Sequence, residues 1–279
     1  MKNKMANFDI ELVGKIGSMA LIDKEWKQMN YNVIARISKE LRPGYVWVTS
    51  GATEIGRLDF IKRNGYELEG NAQDVKTDYA AQGQTILMQT YRDFIDPKYN
   101  VRQILIENQH FNDEEKREYI RNLLLRCPSQ NAIPIINYND PVSNDEIVKV
   151  EIDELRKKGK RAVHLVDNDE TASQVADLLK CKNLLIYTST VGIYADPKDE
   201  STLIKEISGK DEYELLENIA AAQAKCEGAS RAGAAGAKAK LEYIKGPASN
   251  GTKVYIANPK YTIKDILSGV APCTRIFVK

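Results

Sequence analysis

Apolar residues along this chain fall into short continuous runs separated by longer stretches in which they recur every three or four positions, a rhythm that predicts strands alternating with helices. Residues 8–13 form the first run, which breaks into Gly14-Lys15-Ile16-Gly17-Ser18. Residues 46–48, Val-Trp-Val, form the second and lead through Thr49-Ser50-Gly51-Ala52 into a helix start. Between them Val33, Ile34, Ile37 and Leu41 stand at helical spacing, which predicts a helix over 25–41 ended by Pro43-Gly44. Further strands are predicted over 101–106, 132–136, 183–187, 252–256 and 275–278, with helices over 74–94, 113–125, 171–179, 211–224, 241–244 and 263–267 and a charged surface helix and loop over 146–161. Apolar strands alternating with helices build a mainly parallel sheet covered on both faces, so the expected fold class is α/β. No internal repeat and no long linker interrupts residues 1–279, which are read as a single domain.

In such a sheet ligands bind beyond the C-terminal ends of the strands, and that edge collects the candidate chemistry. Ser50 offers a hydroxyl, Gly51 and Ala52 leave room for a ligand near the backbone, and the helix that follows opens with N–H groups suited to an anion. The competing reading is an ordinary strand-to-helix connection with a serine cap. Lys15, between glycines at a strand end, suits phosphate, although a solvated loop lysine has the same surroundings. Asp140 closes the run Asn137-Tyr138-Asn139-Asp140-Pro141 on the same edge as Ser50, where it is either functional or a turn former. Asp167 and Glu170 have capping-box spacing, but capping does not account for Asp167, Asn168 and Asp169 together. The small-residue stretch at 230–240 ends in Lys238-Ala239-Lys240, which fits close packing or a phosphate site. Lys76 and Gln84 read as a solvated helix face, and the basic run at 156–161 as a surface helix and loop.

Composition narrows the partners. The 40 Lys and Arg residues balance 39 Asp and Glu, and a formal charge of +1 lacks the basic footprint that nucleic acid or an anionic membrane demands. Small-molecule partners are expected. With no apolar run of membrane-spanning length and no apolar secretion signal at the N-terminus, a cytoplasmic location is expected. Cys127, Cys181, Cys226 and Cys273 are widely spaced and only His110 and His164 could join them, so the thiols are expected to be reduced and structural, with no residue assigned to a metal. The absence of Gly-x-Gly-x-x-Gly after the first strand speaks against a dinucleotide oxidoreductase.

Taken in order, Gly14-Lys15-Ile16-Gly17-Ser18, Val48-Thr49-Ser50-Gly51-Ala52 with Gly56-Arg57, Lys76 with Ala80-Ala81 and Gly83-Gln84, Ile136 through Asp140, Asp167-Asn168-Asp169, Thr188 with Gly192-Ile193-Tyr194, and Gly236 through Lys240 resemble the amino acid kinase family over nearly the whole chain. Within it they are most similar to the branch that phosphorylates the side-chain carboxylate of L-glutamate, the first step of proline synthesis. The resemblance implies a three-layer α/β/α sandwich of the carbamate kinase type. It also implies ATP as co-substrate, Mg²⁺, and a homo-oligomer, dimer or tetramer. Residues up to about 175 would form an acceptor lobe, and 176–279 a nucleotide lobe. By the same resemblance Lys15, Asp169 and Lys240 would be catalytic, and Ser50, Gly51, Ala52, Asp140 and Asn168 would bind the acceptor. Lys15, Gly17, Ser18, Thr188, Ser189 and the stretch Ala234, Ala235, Gly236, Ala237, Lys238, Ala239, Lys240 would bind ATP. The C-terminal RNA-modification-type domain of many members is not expected here. Three departures stand out: Ser189 replaces an aspartate of the family, Ala235 replaces a glycine, and the segment between Asp140 and Asp167 is longer than the family pattern. The alternatives are a sibling kinase for another carboxylate, phosphonate or phosphate acceptor, and a nucleotide-binding regulator without turnover. Retention of Lys15, Asp169 and Lys240 argues against the regulator.

Overall fold

Strands buried along their whole length form the spine of the molecule, as their continuous apolar runs require. The structure is a computed structural model that describes residues 9–196, 198–226 and 236–279. In chain order the strands are β1 (Leu12–Lys15), β2 (Ile22–Asp23), β3 (Gln28–Met29), β4 (Tyr45–Val48), β5 (Asn100–Ile106), β6 (Ala132–Tyr138), β7 (Asn183–Tyr187), β8 (Glu206–Gly209), β9 (Lys253–Ala257) and β10 (Thr274–Val278). β2 and β3 make a small hairpin, and the other eight form one sheet in the order β5-β6-β4-β1-β7-β9-β10-β8. β1 lies parallel to β4 on one side and to β7 on the other. The β9–β10 pairing is antiparallel, whereas β10 and β8 are parallel to each other.

Side chains alternate across each central strand and so feed two cores. Val13, Val46 and Val48 pack with helices Glu114–Arg126, Asn168–Leu179 and Glu212–Lys225, while Leu12, Tyr45 and Trp47 pack with Tyr31–Ser38, Ala52–Asn64 and Ala72–Phe94. The result is the expected three-layer α/β/α sandwich. Trp47 is fully buried, and a Cβ on Gly14 would lie 2.1 Å from its ring. Gly14 therefore belongs to β1 and to packing, not to the loop the sequence suggested. The Trp47 indole N–H donates to Tyr91 Oη at 3.1 Å, which in turn shares a proton with Thr49 Oγ1 at 3.0 Å, so the largest core side chain is satisfied beside the strand end that leads to Ser50. On the same face helices Ala52–Asn64 and Ala72–Phe94 cross at two glycines. A Cβ on Gly56 would meet the Tyr79 carbonyl oxygen at 1.8 Å, and one on Gly83 would meet that of Ala52 at the same distance.

The predicted helix over 25–41 is shorter than expected. Only Tyr31–Ser38 is helical, and the preceding residues turn through the β2–β3 hairpin. Asp23 Oδ1 accepts from the backbone N–H groups of Glu25 and Trp26, and Lys27 takes a left-handed φ of 46°, so the chain reverses before Asn30 caps the helix through Val33 N. Gly14 and Lys15 extend the first strand beyond its predicted end, and the short strand β8 was not anticipated. No helix among the described residues is long and apolar enough to cross a membrane.

Gly83→Ala places a methyl group against backbone that cannot yield as a flexible side chain would. Denaturant unfolding is expected to show a loss of at least about 1–3 kcal/mol, the usual cost of overpacking. An unchanged midpoint would mean that the two helices have room to part at the crossing.

Candidate active site

Three charged residues from distant parts of the chain meet where the sheet order reverses direction beside β1. Lys15 is the last residue of β1, and its Nζ lies 2.5 Å from Asp169 Oδ1; Lys240 Nζ lies 2.8 Å from the other oxygen, Oδ2. Gly17 makes room for the returning ammonium, since a Cβ there would stand 3.2 Å from Lys15 Nζ. Asp169 occupies the first turn of helix Asn168–Leu179. Its orientation is set by Asp167, whose Oδ1 accepts from Asp169 N at 2.8 Å and from Glu170 N at 2.9 Å. The capping-box expectation holds in altered form, because Glu170 reaches back to Val166 N and not to Asp167 N. Lys240 lies on helix Ala237–Tyr243, which Gly236 caps. Asp169 is buried, at 3% exposure. Burial pushes its carboxyl up, but the Lys15 and Lys240 ammonium groups outweigh burial and hold it below the usual carboxylate range.

Beside this charged group runs a chain of amides. Gln84 Oε1 accepts from Asn137 Nδ2 at 2.8 Å, Asn137 Oδ1 accepts from Asn168 Nδ2 at 3.4 Å, and Asn168 Nδ2 also donates to Ser50 Oγ at 2.7 Å. Ser50 precedes Gly51, whose φ of 93° is the left-handed conformation that favours glycine, and helix Ala52–Asn64 then opens with no side chain capping it. Gly51 is thus required first by the turn. Further along the same edge Lys76 Nζ lies 3.6 Å from Asp140 Oδ1. Burial pushes the Asp140 carboxyl up against the opposing pull of Lys76, with Asp145 adding to the rise.

The long segment after Asp140 is anchored at both ends. Tyr138 Oη meets Ser143 Oγ at 3.0 Å, and Gln73 Nε2 donates to the Ser143 carbonyl at 3.0 Å. At the far end Asn112 accepts from Val163 N at 2.6 Å and donates to Val163 O at 2.9 Å, while Asn108 accepts from Leu165 N at 2.6 Å. Helix Asp145–Lys157 lies between these anchors, as the charged run predicted.

These features enclose a cleft of about 530 Å³. Lys15, Gly17, Ser18, Ser50, Gly51, Ala52, Asp140, Asn168, Asp169, Thr188, Ser189 and Lys240 all line it, which brings together most of the residues singled out from the sequence. Gly236, Ala237, Lys238 and Ala239 are not on its wall, and Ala234 and Ala235 lie outside the described residues. Of the two residues read as a solvated face, Lys76 is exposed as expected and also lines the cleft, whereas Gln84 is buried in the amide chain. Asn137 also belongs to the site, and its place at the end of a buried strand was the signal available. Among the described residues no cluster of three or more His, Cys, Asp or Glu side chains forms a metal cage.

A mainly parallel sheet with two lysines converging on one carboxylate at its switch point is an α/β architecture suited to binding phosphate. The sequence model of the amino acid kinase family matches residues 11–258, and the chain belongs to that family. It is 28% identical over 271 residues to glutamate 5-kinase from Alkaliphilus metalliredigens, covering 93% of this chain and 92% of that protein. To glutamate 5-kinase from Shouchella clausii it is 29% identical over 92% of this chain, and it spans 65% of that longer protein. The fold resembles carbamate kinase from Giardia lamblia bound to AMP-PNP, with a TM-score of 0.63 at 14% identity over 98% of this chain and 99% of that one.

Removing the central charge leaves two buried ammonium groups facing a neutral side chain. Asp169→Asn is therefore expected to cost about 3–5 kcal/mol in denaturant unfolding at neutral pH. Because the folded carboxyl titrates below its ordinary 3.8, its contribution is fully present above that pH and is lost as pH falls through the lower native value. The stability gap between wild type and Asp169→Asn should accordingly close below about pH 4; a gap independent of pH there would contradict the pairing.

Proposed function

We propose that this amino acid kinase family member transfers the γ-phosphoryl group of ATP to the side-chain carboxylate of L-glutamate. The observation that carries the reading is Asp169 held between Lys15 and Lys240 inside the cleft. The resemblance to glutamate 5-kinases over most of the chain supports the choice of acceptor. In this reading Lys15 and Lys240 contact the transferring phosphoryl group, and Asp169 fixes the direction of both ammonium groups. Phosphoryl transfer asks chiefly for alignment and for charge stabilisation on the equatorial oxygens, which two positioned cations provide. A carboxylate acceptor is already ionised at neutral pH, so no general base is required, and the scarcity of histidine is no obstacle.

Ser50, the turn at Gly51 and Ala52, Asn168 and Asp140 orient the acceptor, with the amide chain from Gln84 fixing Asn168. Residues up to about 175 supply this acceptor side. Thr188, Ser189 and the stretch 234–240 serve the nucleotide, with Gly17 and Ser18 beside its phosphates. The Ser189 carbonyl oxygen accepts from Asn258 Nδ2 at 2.8 Å, which ties this part of the cleft wall to the residue after β9. With no carboxylate cage among the described residues, Mg²⁺ would enter with ATP and be held largely by phosphate oxygens. It would supply charge neutralisation at the transferring group.

ATP-dependent ADP release with L-glutamate, together with trapping of the acyl phosphate by hydroxylamine, tests the reaction. Glutamate-independent ADP release, or release with no trapped acyl group, would overturn it. Loss of a hydrogen bond to a charged ligand group costs about 1.5–3 kcal/mol, so Ser50→Ala should raise the glutamate KM about 10- to 100-fold and leave ATP affinity nearly unchanged. Lys240→Met should instead act mainly on kcat, because its charge matters most as charge redistributes in the transition state.

A further inference from the structure

Resting on the phosphoryl-transfer reading above, we propose that Asn108 is a positioning residue for the reaction. From behind the cleft it ties the turn after β6 to the segment that delivers Asp169, so that the two sides of the cleft keep one fixed separation.

Asn108 is buried, at 3% exposure, and stands at the N-cap of the short helix Gln109–Asn112. An asparagine at that position ordinarily turns its oxygen onto an N–H of its own helix, but Asn108 makes no such bond. Its amide is spent on distant chain instead. Oδ1 accepts from Leu165 N at 2.6 Å, 57 residues away, and Nδ2 donates to Tyr138 Oη at 2.9 Å, 30 residues away. The orientation of the amide is fixed by its partners. Leu165 N–H can only donate, which holds the oxygen on that side, leaves the NH2 for Tyr138 and sends the tyrosine proton on to Ser143 Oγ at 3.0 Å.

Each partner leads to a functional part of the cleft. Residues 160–166 belong to no helix or strand, and the N–H groups of Val163, Leu165 and Val166 donate to the side chains of Asn112, Asn108 and Glu170. Side chains there replace the hydrogen bonds that a neighbouring strand would supply. Two residues beyond Leu165 stands Asp167, whose cap sets the first turn that carries Asp169. On the other side Tyr138 ends β6, and its contact with Ser143 closes the turn that contains Asp140. Asn108 bonds to both sides at once, so neither shifts without the other. Transfer between two bound groups is sensitive to such shifts, since a misplacement of about 1 Å caused far from the chemistry can cost about 100-fold in rate.

The test compares four variants of the full chain. Asn108→Leu keeps the branched shape and loses both bonds, Tyr138→Phe loses only the link to the turn, and the third variant combines the two. Asn108→Asp keeps an oxygen on Leu165 N and accepts from the Tyr138 hydroxyl. Asn108→Leu should lower kcat about 10- to 100-fold through misalignment and raise the glutamate KM about 2- to 10-fold, the range for one neutral hydrogen bond. Tyr138→Phe should reproduce the rise in KM with kcat near wild type, and the double variant should raise KM no further than Asn108→Leu alone, because the two changes break one link. Asn108→Asp should recover most of kcat. Poorer folding by itself would lower kcat with the folded fraction and leave KM where it was. Hydrogen exchange gives a readout without turnover: amides at 163–170 should exchange faster in Asn108→Leu but not in Tyr138→Phe, and those at 139–145 faster in both. Wild-type kcat and KM in Asn108→Leu, or KM effects that add in the double variant, would overturn the positioning role while the kinase reading stands. If wild type traps no acyl phosphate, the kinase reading itself fails and the role falls with it, whatever the exchange pattern.

Discussion

Two ammonium groups converging on one buried carboxylate are the constraint to which the rest of the molecule answers. Taking charges out of water is costly, and only near-contact geometry repays that cost. Lys15, Asp169 and Lys240 achieve it although they arrive from the end of a central strand, the first turn of a helix and a short helix far along the chain. Each element must therefore be placed closely. Gly14 lets β1 lie against the Trp47 ring, the Asp167 cap sets the first turn that carries Asp169, and Gly17 leaves space for the returning lysine. A fold that misplaced one of these would leave a charge buried without its partner, so the site is also a check on assembly of the sheet.

Next to the charges the structure uses neutral groups for direction. Gln84, Asn137, Asn168 and Ser50 form a line of hydrogen bonds from the buried helix face to the cleft. Amides give orientation without adding charge, which keeps the local field in the hands of the lysines and Asp169. The division suits a reaction whose chemistry is mainly electrostatic and whose acceptor must be held at one angle.

Much of the sheet was legible because buried parallel strands read as unbroken apolar runs, and β7 was predicted to the residue. The strand-to-helix turn at Ser50 and the Asp167 to Asp169 cluster were legible for a different reason. Their residue types are unusual for the end of an apolar run. What failed was local reversal: the spacing of Val33, Ile34 and Ile37 was truly helical, but nothing in Lys24-Glu25-Trp26-Lys27 separates a helix start from a hairpin until the Asp23 turn is seen. Gln84 was misread as solvated, and Asn108 and Asn112 were passed over. Their roles depend on partners that the fold brings near, such as Asn137 and Gln84, 53 residues apart in the chain.

The clamps around the segment between Asp140 and Asp167 carry a consequence for how this protein could have diversified. Ser143 is held near its start, and Val163 and Leu165 near its end, so the cleft wall is defined at two fixed posts. Chain added between fixed posts incurs only a logarithmic closure penalty, about 0.6 kcal/mol for each doubling of loop length. Added length between the posts therefore costs little. Helix Asp145–Lys157 lies between these posts, and the same allowance would let whole elements be gained or lost there without moving Lys15, Asp169 or Lys240.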